Sequence, residues 1–311
     1  MIIYIMRLSF IRYPDKKLTP PPPPPPTFQP DPKIEVIPRP PPGSDFYIQV
    51  GGPNGLGISL LSKMMFDYLI EHDLVANIYY TFPQHAFRPN YPPQYHDDLV
   101  ALFQTIVPKR CHYLPNSDDK RCIPWAWDHI CAIFEIQSQR FPLRPTFPLY
   151  DSPMVRGPYI TLNMKVSAIQ KNVLEWVVPK LIDTLNHSMF KVVLVGERAT
   201  TPCLEYELLP DHISMYADVR PRLRNVIDKT YDETCNANSL ENIKTSATLY
   251  THAKYNIIMN SSGGFGFLAH FGNIIGFTTG HSTWEILMDI KNPCLAHNAV
   301  TFIQLLKERI C

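Results

Sequence analysis

Apolar residues recur along this chain in two rhythms. One is the short, nearly continuous run of a buried strand; the other is the three-to-four-residue spacing of an amphipathic helix. Residues 46–50 (FYIQV) form the first run and end in the glycine-rich stretch 51–57 (GGPNGLG). A helix is predicted over 58–71, with Leu61, Met65, Tyr68 and Leu69 on one stripe, then a strand over 77–82 (NIYYTF) and a helix over 96–106. A further helix is predicted from Trp125 and Trp127 through Gln139. Residues 140–158 carry prolines at 142, 145, 148, 153 and 158, which remove backbone donors and predict an irregular connector.

The second half repeats the pattern more clearly. Strands are predicted over 159–163 (YITLN), 191–195 (KVVLV), 212–216 (HISMY), 255–259 (YNIIM) and 273–277 (NIIGF), the last of the series. Helices are predicted over 172–186, where Pro179 introduces a kink, over 239–253 with Ser239 as N-cap, from 267 onward, and over 283–289 and 299–309. Strands alternating with helices predict parallel sheets covered by helices. Ligands of such sheets bind beyond the carboxyl ends of the strands. Three turns fall there in this reading: 51–57, 196–198 and 260–266.

Composition adds a leader and removes some partners. Thirteen of the 23 residues from 20 to 42 are proline, which predicts an extended polyproline II spacer or a ligand for a proline-recognition partner. Residues 1–13 are apolar but shorter than the ~20 residues a membrane span needs, and no small-residue cleavage site follows them. The expectation is a soluble, cytoplasmic protein with no transmembrane segment, peripheral membrane association being the alternative. A formal net charge of +1 without a basic stripe argues against a nucleic-acid partner. The seven cysteines include no CxxC pair, so reduced thiols are expected rather than a zinc site or a disulfide framework.

Each of the three turns has its own chemistry. In 260–266, Ser261 and Ser262 supply hydroxyls, and Gly263 and Gly264, followed by Phe265, allow close backbone approach ahead of a helix. Such a helix start favours an anion such as a nucleotide diphosphate, although an unliganded β–α turn has the same composition. The loop with Gly51, Gly52, Asn54, Gly55 and Gly57 is neither GxGxxG nor a P-loop, and would let a substrate approach the backbone. Gly196, Glu197 and Arg198 could hold a ribose or a phosphate, or pair with each other. Lys165 and Lys171, just past the strand ending at Asn163, are point charges for a phosphate. No HExxH, GxSxG, kinase or DxD motif occurs, so no metal site is expected.

Three segments carry a family resemblance. They are Pro158-Tyr159-Ile160-Thr161-Leu162-Asn163 with Lys171 and Glu175-Trp176, then Lys191-Val192-Val193-Leu194-Val195-Gly196, then Ala253 to Gly263 with Leu268-Ala269 and Gly272 behind it. Over about 120 residues this order resembles the nucleotide-binding domain of GT-B glycosyltransferases, the ADP-heptose:lipopolysaccharide heptosyltransferases in particular. Ser261 stands where that family has an aspartate and Gly266 where it has a histidine, as expected of a distant member with a different sugar.

The resemblance implies an α/β chain of two Rossmann-like domains with parallel sheets, preceded by the proline-rich leader. Its parts would be a leader over 1–43, an acceptor domain over 44–150, a nucleotide-sugar domain over 151–280, and C-terminal helices over 281–311 returning toward the first domain. It implies a metal-independent glycosyltransferase, with no cofactor, that moves a sugar from a nucleotide-sugar donor to a glycan or glycoprotein acceptor. Asn163, Lys165, Lys171, Gly196, Glu197, Arg198, Ser261, Ser262, Gly263, Gly264 and Phe265 would line the donor site, and the 51–57 loop would face the acceptor. Asp97, Asp98 and His85 are the candidates for a general base. The alternatives are a catalytically silent nucleotide-sugar- or glycan-binding or interaction module, and a nucleotide-sugar epimerase of the same fold.

Overall fold

A computed structural model of the chain describes residues 39–50, 56–82, 93–115, 119–124, 127–136, 147–167, 169–198, 204, 212–232, 239–259, 271–277 and 294–311. Residues 20–38 of the proline-rich stretch, and the segments where helices are expected to begin at 267 and to span 283–289, lie outside them. Two parallel sheets hold the described core, and both belong to one unit, Pro38–Cys311.

The first sheet is built from β1 (Phe46–Gln49), α1 (Leu56–Glu71), β2 (Ile78–Thr81), α2 (Pro93–Ile106), β3 (Cys111–Tyr113) and β4 (Ile123–Pro124), followed by α3 (Trp127–Ile133). Its four strands lie in the order β3-β2-β1-β4, all parallel. Alternation decides the two faces. Ile48 and Tyr80 are fully buried cross-strand partners, and Phe66 of α1 and Phe103 of α2 pack on the Tyr80 ring at 5.6 and 5.2 Å. The opposite face carries Tyr47, Tyr79 and His112, which are direct cross-strand neighbours. Their rings form a ladder, 4.9 Å between the tyrosines and 5.1 Å on to the histidine, and Arg121 lies 4.3 Å over Tyr47. Two of these strands, β3 and β4, are absent from the sequence reading. The helix expected over 125–139 ends at Ile133, because Glu135 takes a left-handed φ of 54° and the Ile136 amide closes back on the Cys131 carbonyl at 2.8 Å.

The second sheet follows an irregular connector over 147–158. Its elements are β5 (Tyr159–Asn163), β6 (Lys165–Ser167), α4 (Lys171–His187), β7 (Lys191–Arg198), β8 (His212–Ser214), α5 (Tyr216–Val219), a 3-10 turn (Arg220–Arg222), β9 (Val226–Asp232), α6 (Leu240–His252), β10 (Asn256–Met259), β11 (Ile274–Phe277), β12 (Cys294–Ala296) and α7 (Ala299–Ile310). Six strands lie in the order β12-β11-β10-β5-β7-β9, all parallel, and β6 and β8 form a separate antiparallel ribbon. Renumbered by first appearance in this sheet, that is 3-2-1-4-5-6 read from β9, the doubly wound nucleotide-binding order. All residues of β5, β10 and β11 are buried, as expected for strands covered on both faces. Ile160, Leu162, Val192, Leu194, Ile257 and Met259 join the stripe Leu174, Val177, Leu181 of α4 and Phe302, Leu306 of α7 in one cluster. On the opposite face α6 receives the Tyr159 hydroxyl at the Leu249 carbonyl, 2.7 Å. Ser239 caps α6 by accepting from the Asn242 amide at 3.2 Å, as its position predicted.

Two readings are corrected here. The strand expected to stop at Val195 runs on through Gly196, Glu197 and Arg198, because β9 pairs with it over seven residues. The strand over 273–277 is not the last, since β12 pairs beyond it. In the described part of the C-terminal segment β12 completes the second sheet and α7 packs on α4, with the Cys311 thiol on the Thr184 carbonyl at 3.6 Å. The connector is fastened to the same body. The Tyr150 amide donates to the Thr248 hydroxyl at 2.9 Å, its phenol donates to Glu241, and Lys191 reaches the Arg156 carbonyl at 3.0 Å.

Candidate functional site

In a doubly wound sheet the crevice opens where the strand order reverses, since neighbouring connections there leave to opposite faces. Here that break lies between β5 and β10, which pair from Thr161↔Asn256 to Asn163↔Ile258. Asn163 therefore stands at the carboxyl end of the break. The segment 260–266 continues from β10 at the same point in the chain, although Ser261, Ser262, Gly263, Gly264 and Phe265 lie outside the described residues.

Asn163 uses its whole amide. Its Oδ1 accepts from the Lys165 amide at 3.1 Å, which bends the chain out of β5, and its Nδ2 donates to the Tyr250 hydroxyl at 3.2 Å. Tyr216 closes the adjacent edge. Its hydroxyl accepts from the Met164 amide at 3.0 Å and donates to the Val195 carbonyl, tying the ends of β5 and β7 together. This explains the glycine in mid-strand: Gly196 has φ +117°, and a Cβ there would lie 3.2 Å from the Tyr216 hydroxyl and 3.4 Å from Asn163 Nδ2. Burial pushes the Tyr250 phenol up to about 12 and the Tyr216 phenol well above the usual range, so both remain protonated hydrogen-bonding groups.

Around this neutral floor stand three ion pairs, two of which share Asp228. Lys165 on β6 bonds Glu197 on β7, and the Ser214 hydroxyl donates to the Glu197 carbonyl at 3.2 Å. Asp228 on β9 receives Arg220 at 3.0 Å and Arg198 at 3.6 Å, and its other oxygen accepts from the Thr230 amide and hydroxyl at 3.0 and 2.5 Å. Lys165 and Arg198 are each 40% exposed, so both pairs are screened and can exchange partners with a ligand at small cost. The structure thus brings together Asn163, Lys165, Gly196 and Glu197, and gives Arg198 to Asp228. Lys171 is the first residue of α4. Glu197 and Arg198 do not pair with each other, which the sequence had left open.

On the first sheet, β1 leaves for the 51–55 loop at its own order break, between β1 and β4. Gly51, Gly52, Asn54 and Gly55 lie outside the described residues, as does His85, while Gly57 already belongs to α1. Asp97 and Asp98 lie in α2, which follows β2 and so starts at the carboxyl edge. Burial, and then the Asp97 charge, raise the Tyr113 phenol at the end of β3. Among the described residues no three His, Cys, Asp or Glu side chains gather as metal ligands, and no helix is long and apolar enough to cross a membrane. Cys111, Cys122 and Cys311 are free thiols.

No family model matches the chain, and no curated protein matches it. Among solved structures the chain has a distant likeness to the bacterial iron-containing dodecameric glycosyltransferase TibC from enterotoxigenic E. coli H10407. The TM-score is 0.47 at 12% sequence identity, over 82% of this chain and 63% of that one. The chain therefore spans less than two thirds of that protein's length. Strand order and hydrogen bonding, not that likeness, place the candidate site.

Sequence reasoning missed Tyr216, Tyr250, Arg220 and Asp228. Tyr250 looks like any apolar member of the α6 stripe, and Tyr216 follows a short strand with no motif around it. Their partners lie 87 and 52 residues away in sequence, at Asn163 and Met164. No local pattern encodes such pairs.

Proposed function

We propose that this chain is a glycosyltransferase that takes a nucleotide sugar at the β5–β10 break and passes the sugar to a hydroxyl acceptor held at the carboxyl edge of the first sheet. The observation that carries the reading is the 3-2-1-4-5-6 strand order, with Asn163 at its reversal and Glu197 at the end of its second strand. In that position an acid serves the ribose of a bound nucleotide. Lys165, one strand away, would exchange Glu197 for a phosphate oxygen, and Lys171 would add charge at the start of α4.

In the proposed reaction the acceptor oxygen bonds to the anomeric carbon while the bond from that carbon to the diphosphate oxygen breaks. The electron pair stays on the diphosphate, which the lysines stabilise without requiring a metal. The acceptor proton passes to a general base, for which Asp97, Asp98 and His85 are the candidates. The division that suits this reading is a GT-B one, an acceptor domain over 44–150 and a nucleotide-sugar domain from 151, with residues 20–42 as spacer or as ligand of a proline-recognition partner. Ser261 and Gly266, in place of the acid and histidine of the family it resembles, favour a second reading in which the nucleotide sugar is held but not turned over.

A thermal-shift panel of nucleotides and nucleotide sugars, with and without magnesium, tests both. A ligand at ~100 times its Kd adds ~2.7 kcal/mol to the folded state. The expected result is a shift with one base that is lost in Glu197→Ala, followed by sugar transfer in a product assay. A shift without transfer supports the binding module. No shift with any nucleotide, in folded protein, ends both readings.

A further inference from the structure

The side chain of Lys63 in α1 is 0% exposed, and nothing in the proposed chemistry uses it. A buried ammonium is expensive unless its surroundings hold it. Asp67, one turn on, bonds it at 2.6 Å, and the Phe147 ring lies 5.5 Å from it. Phe147 belongs to the connector and is itself buried. Its ring stacks on Phe271 with centroids 5.7 Å apart and planes at 29°. Phe271 in turn meets Tyr250 at 5.7 Å, and the Tyr250 hydroxyl accepts from Asn163. Contact is thus continuous from an ion pair in the first half of the chain to the residue at the reversal point of the second sheet. A leucine or methionine at position 63 would fill apolar space at lower cost. What the ammonium supplies instead is a directional partner for one aromatic face.

We propose that Phe147 is a positioning residue for the nucleotide edge: seated against Lys63, it holds Phe271 and Tyr250, and through them the Asn163 amide. The proposal rests on the nucleotide reading above. It gives the Lys63–Asp67 pair a role in ligand affinity although neither residue lies at the edge itself. Phe147 acts by holding Tyr250 where its hydroxyl receives Asn163, so that Asn163 Oδ1 remains on the Lys165 amide and Lys165 starts beside Glu197.

The test is a double-mutant cycle on the full chain, with Phe147→Ala, Lys63→Ala and the pair, read in two ways. One readout is amide hydrogen exchange at 249–252 and in β10 without ligand. The other is the affinity for UDP, GDP and ADP. Phe147→Ala should speed exchange at both places and weaken whichever diphosphate binds by about 2- to 30-fold, the range expected for residues that act through others. Lys63→Ala should do the same, the double variant should be no worse than the Lys63 variant, and Phe147→Tyr should restore both readouts. Leu306→Ala, a core truncation within α7, should lower the melting temperature without weakening diphosphate binding. If Phe147→Ala does not fold, Phe147→Leu, which keeps bulk without the ring, takes its place. Unchanged exchange at 249–252, or losses that simply add, would overturn the proposal. If the wild-type protein binds no nucleotide of the thermal-shift panel, the nucleotide reading fails, and exchange alone decides whether Phe147 holds Tyr250.

Discussion

The two sheets share a parallel architecture and differ in how they are covered. The six-stranded sheet has helices on both faces, and three of its four inner strands are buried at every position. In the four-stranded sheet, α1 and α2 cover the Ile48–Tyr80 face, while the other face presents a half-exposed ladder of Tyr47, Tyr79 and His112. A strand buried on both faces needs apolar side chains at every position. One buried on a single face can spend alternate positions on rings that shield each other. The first arrangement concentrates stability in the sheet centre, and the second spreads it over cross-strand contacts that are individually weak.

The sharpest way to break this comparison is to truncate one residue on each side of it. Leu162 is fully exposed to neighbours and not at all to water, so Leu162→Ala should cost about 2 to 5 kcal/mol in urea unfolding. A cost below about 1 kcal/mol would mean that the central strand relaxes around the cavity and the contrast is false. Titration of Tyr250 gives an intermediate effect. Its phenol moves from 10.0 to about 12 in the fold, so above pH 10 the unfolded chain loses the proton first. The stability this group contributes is fully present below pH 10 and disappears as pH rises toward 12. Wild-type protein should therefore lose about 1 to 3 kcal/mol more than Tyr250→Phe across that window, measured by denaturant unfolding at stepped pH. Parallel pH curves for the two proteins would show that Tyr250 is not buried as described. The smallest change belongs to the ladder: Tyr79→Leu keeps bulk but removes two ring contacts, and should cost about 0.5 to 1.5 kcal/mol. A loss as large as that of Leu162→Ala would place Tyr79 in a closed core.

The same contrast explains what the sequence reveals. Strands β5 and β10, helix α4 and the capped α6 stand out because burial on both faces, or along one stripe, leaves a dense apolar signal. The edge strand β9, VIDKTYD, is hidden by the charges that protect an edge, and β3, β4, β6 and β12 have only two or three residues each. Gly196 reads as a stop because glycine usually ends a strand. Only the Tyr216 hydroxyl, brought in from 21 residues beyond Val195, gives it a reason to sit inside one. Of the candidate site, Asn163, Lys165 and Glu197 were legible from their places after strands. The hydroxyls that fix them were not, because long-range pairing leaves no local trace.

The fastening of the connector bears on how this protein can be dissected. A fragment begun at β5, where the second sheet starts, would omit Phe147 and Tyr150. It would leave the Thr248 hydroxyl without its backbone donor and bare one face of Phe271. A fragment begun at Phe147 keeps that packing and loses only the first sheet and its buried lysine. The packing of the second sheet therefore begins upstream of the sheet boundary, and a cut meant to isolate that sheet with its covering residues belongs there.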